Sequence, residues 1–288
     1  MTATSGLRLA GTRESRIAVR RPILLLLAFF GLVFAGPYFA PHEVSLKPTV
    51  SPINKRAPSL EHPMGTNSTD RDVLGLVLRG ARLSLGIGVA SMLIAVAVGT
   101  TYGAAAAMSG GWVDGLLMRT TDVTLAVPRF LILLAVTSIV SEPPSSRQLI
   151  LLIGLTGWFD IARITRGEVG SLLQRDWVLA SRATGVGSWR MARRHIFPHL
   201  VPMLLVVATL GIARTIVLEA ALAFLGAGGR SESLGSLLHS GSALWSTTWW
   251  LSVFPGLAIV LLVLACNALG DALRDVFAPE QVHAWPTT

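Results

Sequence analysis

Two ionisable residues, Arg214 and Glu219, stand inside the otherwise uncharged run from Val201 to Leu225. A carboxylate at such a depth is a candidate acid or base, and an intramembrane enzyme using Glu219 is one reading. Hydrolysis there would need a paired Ser or Asp buried between spans, and the only deep candidates are Arg214 and Glu219. Ionisable groups within an apolar span are costly unless they face protein or water. Asp160 and Arg163, three apart, are near enough on a helix to pair, in a structural role near the membrane boundary. His195 and His199 are four apart, but Pro198 lies between them and no carboxylate is near. No HExxH pattern or paired spacing for zinc occurs, and no GxSxG nucleophile elbow. The only lysines, Lys47 and Lys55, are followed by Pro48 and Arg56, so GxxxxGK[ST] is absent and ATP hydrolysis by a P-loop is excluded. The sequence thus assigns no catalytic, cofactor-binding or metal-ligating residue.

The longest polar interruption in the apolar C-terminal half is Asp176 to Pro198, DWVLASRATGVGSWRMARRHIFP, which carries Arg182, Arg190, Arg193, Arg194 and His195. Trp177 to Thr184 reads as a helix, with small residues Ala180, Ser181 and Ala183 before Gly185. Gly185 and Gly187 break it, a second helix begins near Ser188 as N-cap, and Pro198 marks entry to the next apolar run. A short helix, a glycine break and a basic helix between two apolar runs suggest a cytoplasmic docking element. The competing reading is a basic loop that binds anionic headgroups.

The elements around this stretch belong to a membrane. Of 288 residues, 52% are hydrophobic and only 14% charged, with mean hydropathy +0.61. A water-soluble surface would need far more charge. The net charge of +8 is mostly arginine, as expected where basic residues hold loops on the cytoplasmic side. There is no soluble basic domain for nucleic acid. Cys266, the single cysteine, lies in an apolar run, reads as a small buried hydrophobe and permits no internal disulfide.

Residues 1–21 read as a basic cytoplasmic tail and 22–40 as a first transmembrane helix, apolar from Ile23 to Ala40 and long enough to cross about 30 Å of hydrocarbon. A cleaved signal peptide ending near Gly36 and Pro37 is the alternative. Residues 41–80, punctuated by Pro41, Pro48, Pro52, Pro58 and Pro63, predict an extended external loop. Its end, Val73, Leu74, Val77 and Leu78, has the spacing of an interfacial amphipathic helix. Asn67-Ser68-Thr69 matches a glycosylation sequon too short to carry weight.

Residues 81–275 hold five further spans. In the first of these, Leu83 to Met108, small residues Ala95, Gly99, Gly103 and Ala107 recur every four positions and prepare one face for close helix packing. The next runs from Val123 past Pro128 to Val140, followed by Leu149 to Ile164, Val201 to Leu225 and Trp249 to Leu269. Residues 226–246 read as a polar, glycine-rich external loop, and Trp245, Trp249 and Trp250 suit the outer interface. Residues 276–288 form a short tail. Six spans place both termini on one side, and the arginines of the N-terminal tail and of the 163–198 loop make it the cytoplasmic side. The external loop also carries Lys47, Lys55, Arg56, Arg71, Arg79 and Arg82, but charge orients long loops weakly.

The stretch Leu179-Ala180-Ser181-Arg182-Ala183-Thr184-Gly185, closed by Ile196-Phe197-Pro198, resembles the EAA loop of bacterial ABC importer permeases. Leu179 stands at the family's glutamate and Ser181 at its second alanine. The wider resemblance is to the C-type permease of dipeptide, oligopeptide and nickel importers and covers nearly the whole chain. It rests on His62-Pro63-Met64-Gly65-Thr66 with Arg71-Asp72-Val73-Leu74, then Gly80-Ala81-Arg82-Leu83-Ser84-Leu85 and Gly110-Gly111-Trp112-Val113-Asp114. Glu219-Ala220-Ala221-Leu222-Ala223-Phe224-Leu225-Gly226, Phe254-Pro255-Gly256-Leu257 and Leu269-Gly270-Asp271-Ala272-Leu273-Arg274-Asp275 continue it. Asp70 departs from the family's Gly, and Ser233-Leu234-Gly235 from Pro-Ser-Trp-Gly.

This resemblance implies an all-α integral membrane protein of six transmembrane helices with the type I ABC importer permease fold. It further implies a bacterial inner-membrane location, with N- and C-termini cytoplasmic. Such a permease forms half of a pathway for di- or oligopeptides beside a B-type permease. Two separate ATPase subunits carry ATP and Mg²⁺, and a solute-binding protein delivers cargo outside. Relatives import nickel, glutathione or haem, and a non-transporting membrane scaffold is the reading from another class. The docking residues implied are Leu179, Ala180, Ser181, Arg182, Ala183, Thr184, Gly185, Ile196 and Pro198.

Overall fold

The computed structural model describes residues 56–139 and 142–277, together with Gly31, Val33, Ala35 and Gly36. The described residues are all-α. Helix α1, Val73–Ser109, begins where the Asp72 carboxylate accepts the Leu74 amide at 2.8 Å and ends at Gly110 and Gly111, both at positive φ. The stretch with amphipathic spacing is continuous with the span that follows it. Val73 and Val77 are buried in the protein core, because the helix runs unbroken for 37 residues.

The next apolar run is broken, where one straight span is expected. Helices α2, Gly111–Leu125, and α3, Arg129–Ile139, meet at a 70° bend around Pro128. Proline lacks an amide hydrogen and disfavours helical backbone in the residue before it, which accounts for the break. Helix α4, Ser146–Thr156, starts with a capping box between Ser145 and Gln148, and α5, Trp158–Leu173, follows after Gly157. The Arg129 guanidinium enters this break. It donates to the Ile153 carbonyl and to Thr156 Oγ1, satisfying backbone that the broken helix leaves open.

Helix α6, Asp176–Ala183, is short. Helix α7, Ser188–Met191, passes through a π-helical turn, Ala192–Ile196, into α8, Phe197–Phe224. Gly187, not Ser188, is the residue before the first turn, and the basic segment is continuous with the span above it. Helix α9, Leu234–Ser242, occupies the segment expected to be loop, and α10, Trp250–Phe277, completes the described chain.

By length and composition, four of the described helical segments can cross a membrane, or five if the bent α2–α3 pair counts as one span. The expected first span, 22–40, lies outside the described residues apart from four helical positions, of which Val33 packs into the core with Val73 and Val77. Three apolar clusters fill the bundle. One joins α1, α8, α9 and α10. A second joins α1, α5, α6 and α8, and the third ties α3 and α4 to α1 and α8 through Leu133, Ile153, Ile87 and Leu222.

The most extensive helix pair is α1 with α5. Its closest approach is at Gly99 and Gly103: a β-carbon on Gly99 would lie 2.6 Å from the Trp158 carbonyl, and one on Gly103 would collide with that of Ala162. Ala95 is buried and Ala107 half-buried in the same contact region. Between α2 and α5, Asp122 accepts from Arg163 at 2.5 Å and Asp114 from Arg166, in the reversed order that antiparallel helices require. Arg163 therefore pairs across helices with Asp122 and not with Asp160, its neighbour on the same helix.

The α1–α5 contact gives a direct test. Gly103→Leu forces a side chain into backbone that cannot swing aside, and overpacking of this kind costs about 1–3 kcal/mol or more. A clear loss of monodisperse protein and a lower Tm in detergent are expected. Gly115→Leu, on α2 with open space around it, should behave as the unaltered chain. Equal stability of the two variants would contradict the packing described.

Candidate functional site: the polar loop between α5 and α8

The loop is built as an anchored helix with a free face. Val178 is fully buried among Val169, Leu172, Met191, Ile196 and Leu200, which fixes α6 against the ends of α5 and α8. Trp177 stacks on His199 with ring centroids 5.3 Å apart, and a tilted contact to His195 lies beside it. His199 Nδ1 lies 2.7 Å from the His195 carbonyl. No metal-binding group of His, Cys, Asp or Glu occurs among the described residues.

Once Trp177 and Val178 face inward, the alternating turns of α6 present other residues outward. Leu179 is 52% exposed, and Ala180, Ala183, Thr184 and Gly185 are also exposed. Ser181 is half-buried, its hydroxyl donating to the Trp177 carbonyl at 2.8 Å. Arg182 lies within the same helix. The helix closes with a Schellman arrangement: Gly185 takes φ +81°, and the Val186 amide reaches back to the Ser181 carbonyl. The glycine serves a left-handed cap, and a β-carbon there would meet open space. Ile196 is buried in the core and Pro198 is exposed at the first turn of α8.

Arg214 and Glu219, both on α8, have opposite surroundings. Arg214 is exposed, on the side of the helix that also exposes Val217 and Phe224, and meets no carboxylate among the described residues. Glu219 is 1% exposed. The Ser84 hydroxyl donates to its Oε2 at 2.9 Å and in turn accepts the Leu234 amide at 3.3 Å, so one carboxylate links α8, α1 and the start of α9. Glycines make this seating possible: a β-carbon on Gly235 would lie 2.5 Å from the Ala220 carbonyl. The geometry gives Glu219 an architectural role at the mouth of the bundle.

A second polar assembly, which the spacing of residues alone did not assign, lies before α1. The His62–Thr66 and Arg71–Leu74 stretches fold onto one another through a Thr66–Asp72 bridge. Trp250 Nε1 donates to the Thr66 carbonyl at 3.1 Å, and Asp72 Oδ2 accepts from His62 Nδ1 at 3.1 Å. Asp70 takes φ +59°, the backbone conformation for which glycine is the ordinary choice. Arg71 makes a two-pronged ion pair with Glu232, tying this loop to the segment before α9.

The family model for the binding-protein-dependent transport system inner membrane component matches residues 75–282. The chain is 35% identical over 269 residues to a Brucella suis protein described as a peptide permease, covering 88% of this chain and 87% of that one. It is 33% identical to the dipeptide transport system permease protein DppC of Bacillus subtilis, over 90% of this chain and 80% of the relative. It is also 33% identical to the oligopeptide transport system permease protein OppC of Mycobacterium tuberculosis, over 92% and 91%. Among solved structures, an inward-facing form of the MetNI methionine ABC transporter matches with TM-score 0.52 at 18% identity, covering 70% of this chain and 97% of that one. That likeness is one of fold.

Glu219 and Ser84 make the seating of α9 testable. Glu219→Leu removes the acceptor of the Ser84 hydroxyl, and a loss of about 1–3 kcal/mol is expected for a buried group left unmatched. Glu219→Gln retains an acceptor and should lose less. Thermal unfolding of the purified variants measures both. A larger loss in the glutamine variant would contradict the linkage.

Proposed function

The chain belongs to the family of binding-protein-dependent transport system inner membrane components, and we propose that it is the permease subunit of an ABC importer for di- or oligopeptides. It is a multi-pass integral membrane protein with the all-α fold of such permeases, and not itself the ATPase. The observation that carries the reading is α6: a short helix held by Trp177 and Val178, with Leu179, Ala180, Ala183 and Thr184 turned outward between two membrane-crossing segments.

In this reading residues 176–198 are the coupling loop, and the exposed face of α6 sits in a cleft of an ATPase subunit. Gly185 lets the chain turn away beneath it, and Ile196 and Pro198 lead into the span. Leu179, where related loops carry glutamate, makes the contact apolar. The order of the whole is a cytoplasmic tail 1–21, a first span 22–40, an external loop 41–80, five helices within 81–275 and a tail 276–288, both termini being cytoplasmic. The chain forms half of the pathway with a B-type permease. Two ATPase subunits bind ATP and Mg²⁺, and a solute-binding protein docks outside. Arg214 belongs to the face turned toward the partner permease, because an arginine at that depth is poorly accommodated by lipid. The peptide cargo follows the named cargo of the relatives.

Leu179→Asp tests the docking. The residue is on the surface, so the variant should fold as the unaltered chain does. The charge should weaken retention of ATPase subunits about tenfold, the effect of roughly 1.4 kcal/mol at an interface. Co-purification with the ATPase subunits and uptake of a di- and oligopeptide panel are the measurements. Full retention with undiminished uptake in both Leu179→Asp and Ala183→Trp would refute the docking face. Failure of the unaltered complex to take up any peptide would refute the cargo alone.

A further inference from the structure

Arg190, Arg193 and Arg194 line an open cleft of about 360 Å³ together with Trp189. No carboxylate occurs in the chain between Asp176 and Glu219, and none of the three arginines forms an ion pair among the described residues. Met191 and Ile196, on the same turns, are almost fully buried, so the opposite face is held against the core and the basic face is held outward. Three uncompensated guanidinium groups on a fixed backbone form a site for an anion with several oxygens.

The backbone here is shaped by Pro198. It has no amide hydrogen to offer the Arg194 carbonyl, and its ring would crowd that carbonyl in a regular α-helix. The turn widens instead, and the Phe197 amide reaches the Ala192 carbonyl five residues back. Residues four apart in an α-helix of 3.6 residues per turn drift by about 40°. A wider turn offsets part of that drift and keeps Trp189, Arg193 and Phe197 in one row.

The row continues as Val201 and Leu205, and its apolar members are all exposed: Trp189 77%, Phe197 43%, Val201 44% and Leu205 42%. A basic cleft therefore opens directly onto an apolar track that climbs a membrane-crossing segment, Ser188–Phe224. A soluble anion has no use for that track, whereas a phospholipid fills both parts. We propose that Trp189, Arg190, Arg193 and Arg194 bind the phosphate headgroup of an anionic phospholipid, with an acyl chain lying along Phe197, Val201 and Leu205. Basic residues just outside a hydrophobic span attract anionic lipid, and tryptophan settles at the same level. The leaflet follows from the proposed orientation of the permease; the binding itself does not depend on that reading or on the cargo.

The test uses the full chain in phosphatidylcholine nanodiscs that contain a minor fraction of lipid with brominated acyl chains, either phosphatidylglycerol or phosphatidylcholine. Subtracting the Trp189→Phe variant isolates quenching of Trp189. Brominated phosphatidylglycerol should quench it several-fold more strongly than brominated phosphatidylcholine. Replacing Arg193 by Gln, or Arg194 by Gln, should each lower this preference by about half or more, and replacing both should abolish it. The Arg193→Lys, Arg194→Lys double variant should keep most of it. Equal quenching by the two lipids would overturn the proposal, as would a preference that survives loss of both arginines. Displacement by millimolar inorganic phosphate would assign the cleft to a free anion. Loss of the preference on adding the ATPase subunits would assign it to protein, and either result overturns the lipid site.

Discussion

Helices inside a bilayer gain little from burying apolar side chains, because lipid is as apolar as the protein interior, so close backbone approach has to hold them. In this protein that approach is made at Gly99 and Gly103 against Trp158, Ile161 and Ala162. The rest of the architecture depends on it. Helix α1 runs the full height of the bundle and contacts α2, α4, α5, α8, α9 and α10. It thus serves as the post against which both ends of the molecule are assembled. At one end it carries the Ser84 hydroxyl that meets Glu219 and Leu234. At the other it contributes Ala104, Ala107 and Met108 to the core beneath α6.

Polar groups within this apolar frame join helices or meet backbone that a helix break leaves open. Arg129 enters the break at Gly157 and meets the Ile153 carbonyl, which a continuous helix would have satisfied unaided. Glu219 receives the Ser84 hydroxyl at the point where α9 abuts α1 and α8. Arg163 and Arg166 hold α2 to α5 through Asp122 and Asp114. Arg214 stands apart because no described carboxylate meets it and its face of α8 is open. In the proposed assembly that open face meets the partner permease.

Periodicity made much of this legible. The four-residue spacing of Ala95, Gly99, Gly103 and Ala107 marks the side of α1 that meets α5, since only small residues permit that distance. The helix, glycine break and second helix of 176–198 appear at those places, because Gly185 answers a local backbone demand. What pattern could not provide were relations between distant residues. Arg163 has Asp160 three positions away on its own helix, yet it pairs with Asp122, forty-one positions earlier, once α2 lies alongside α5. The segment 226–246 reads as loop because Gly and Ser weaken helix propensity. It contains α9 because Gly235 and Gly241 admit the backbone into crevices beside Ala220 and Leu251. There tertiary packing outweighs propensity. The motif before α1 stands in the sequence as letters, while its physical content, a turn fastened to Trp250, arises only in the fold.

The mechanical consequence lies in the path from α6 to α8. Val178 and Trp177 do not end in a flexible tether. They are packed against Met191, Ile196, Leu200 and His199, residues of the segment that becomes the membrane-crossing helix. A force on the exposed face of α6 therefore reaches α8 through side-chain contact, and the chain linking the two need not be taut. Along that path the π-helical turn before Pro198 interrupts the regular hydrogen-bond ladder. In the proposed coupling, displacement of α6 would pass to α8 as rotation. Rotation would redirect the open face bearing Arg214, Val217 and Phe224 relative to whatever lies opposite. In the proposed reading the loop and the exposed arginine, some thirty positions apart in the chain, are linked through α8.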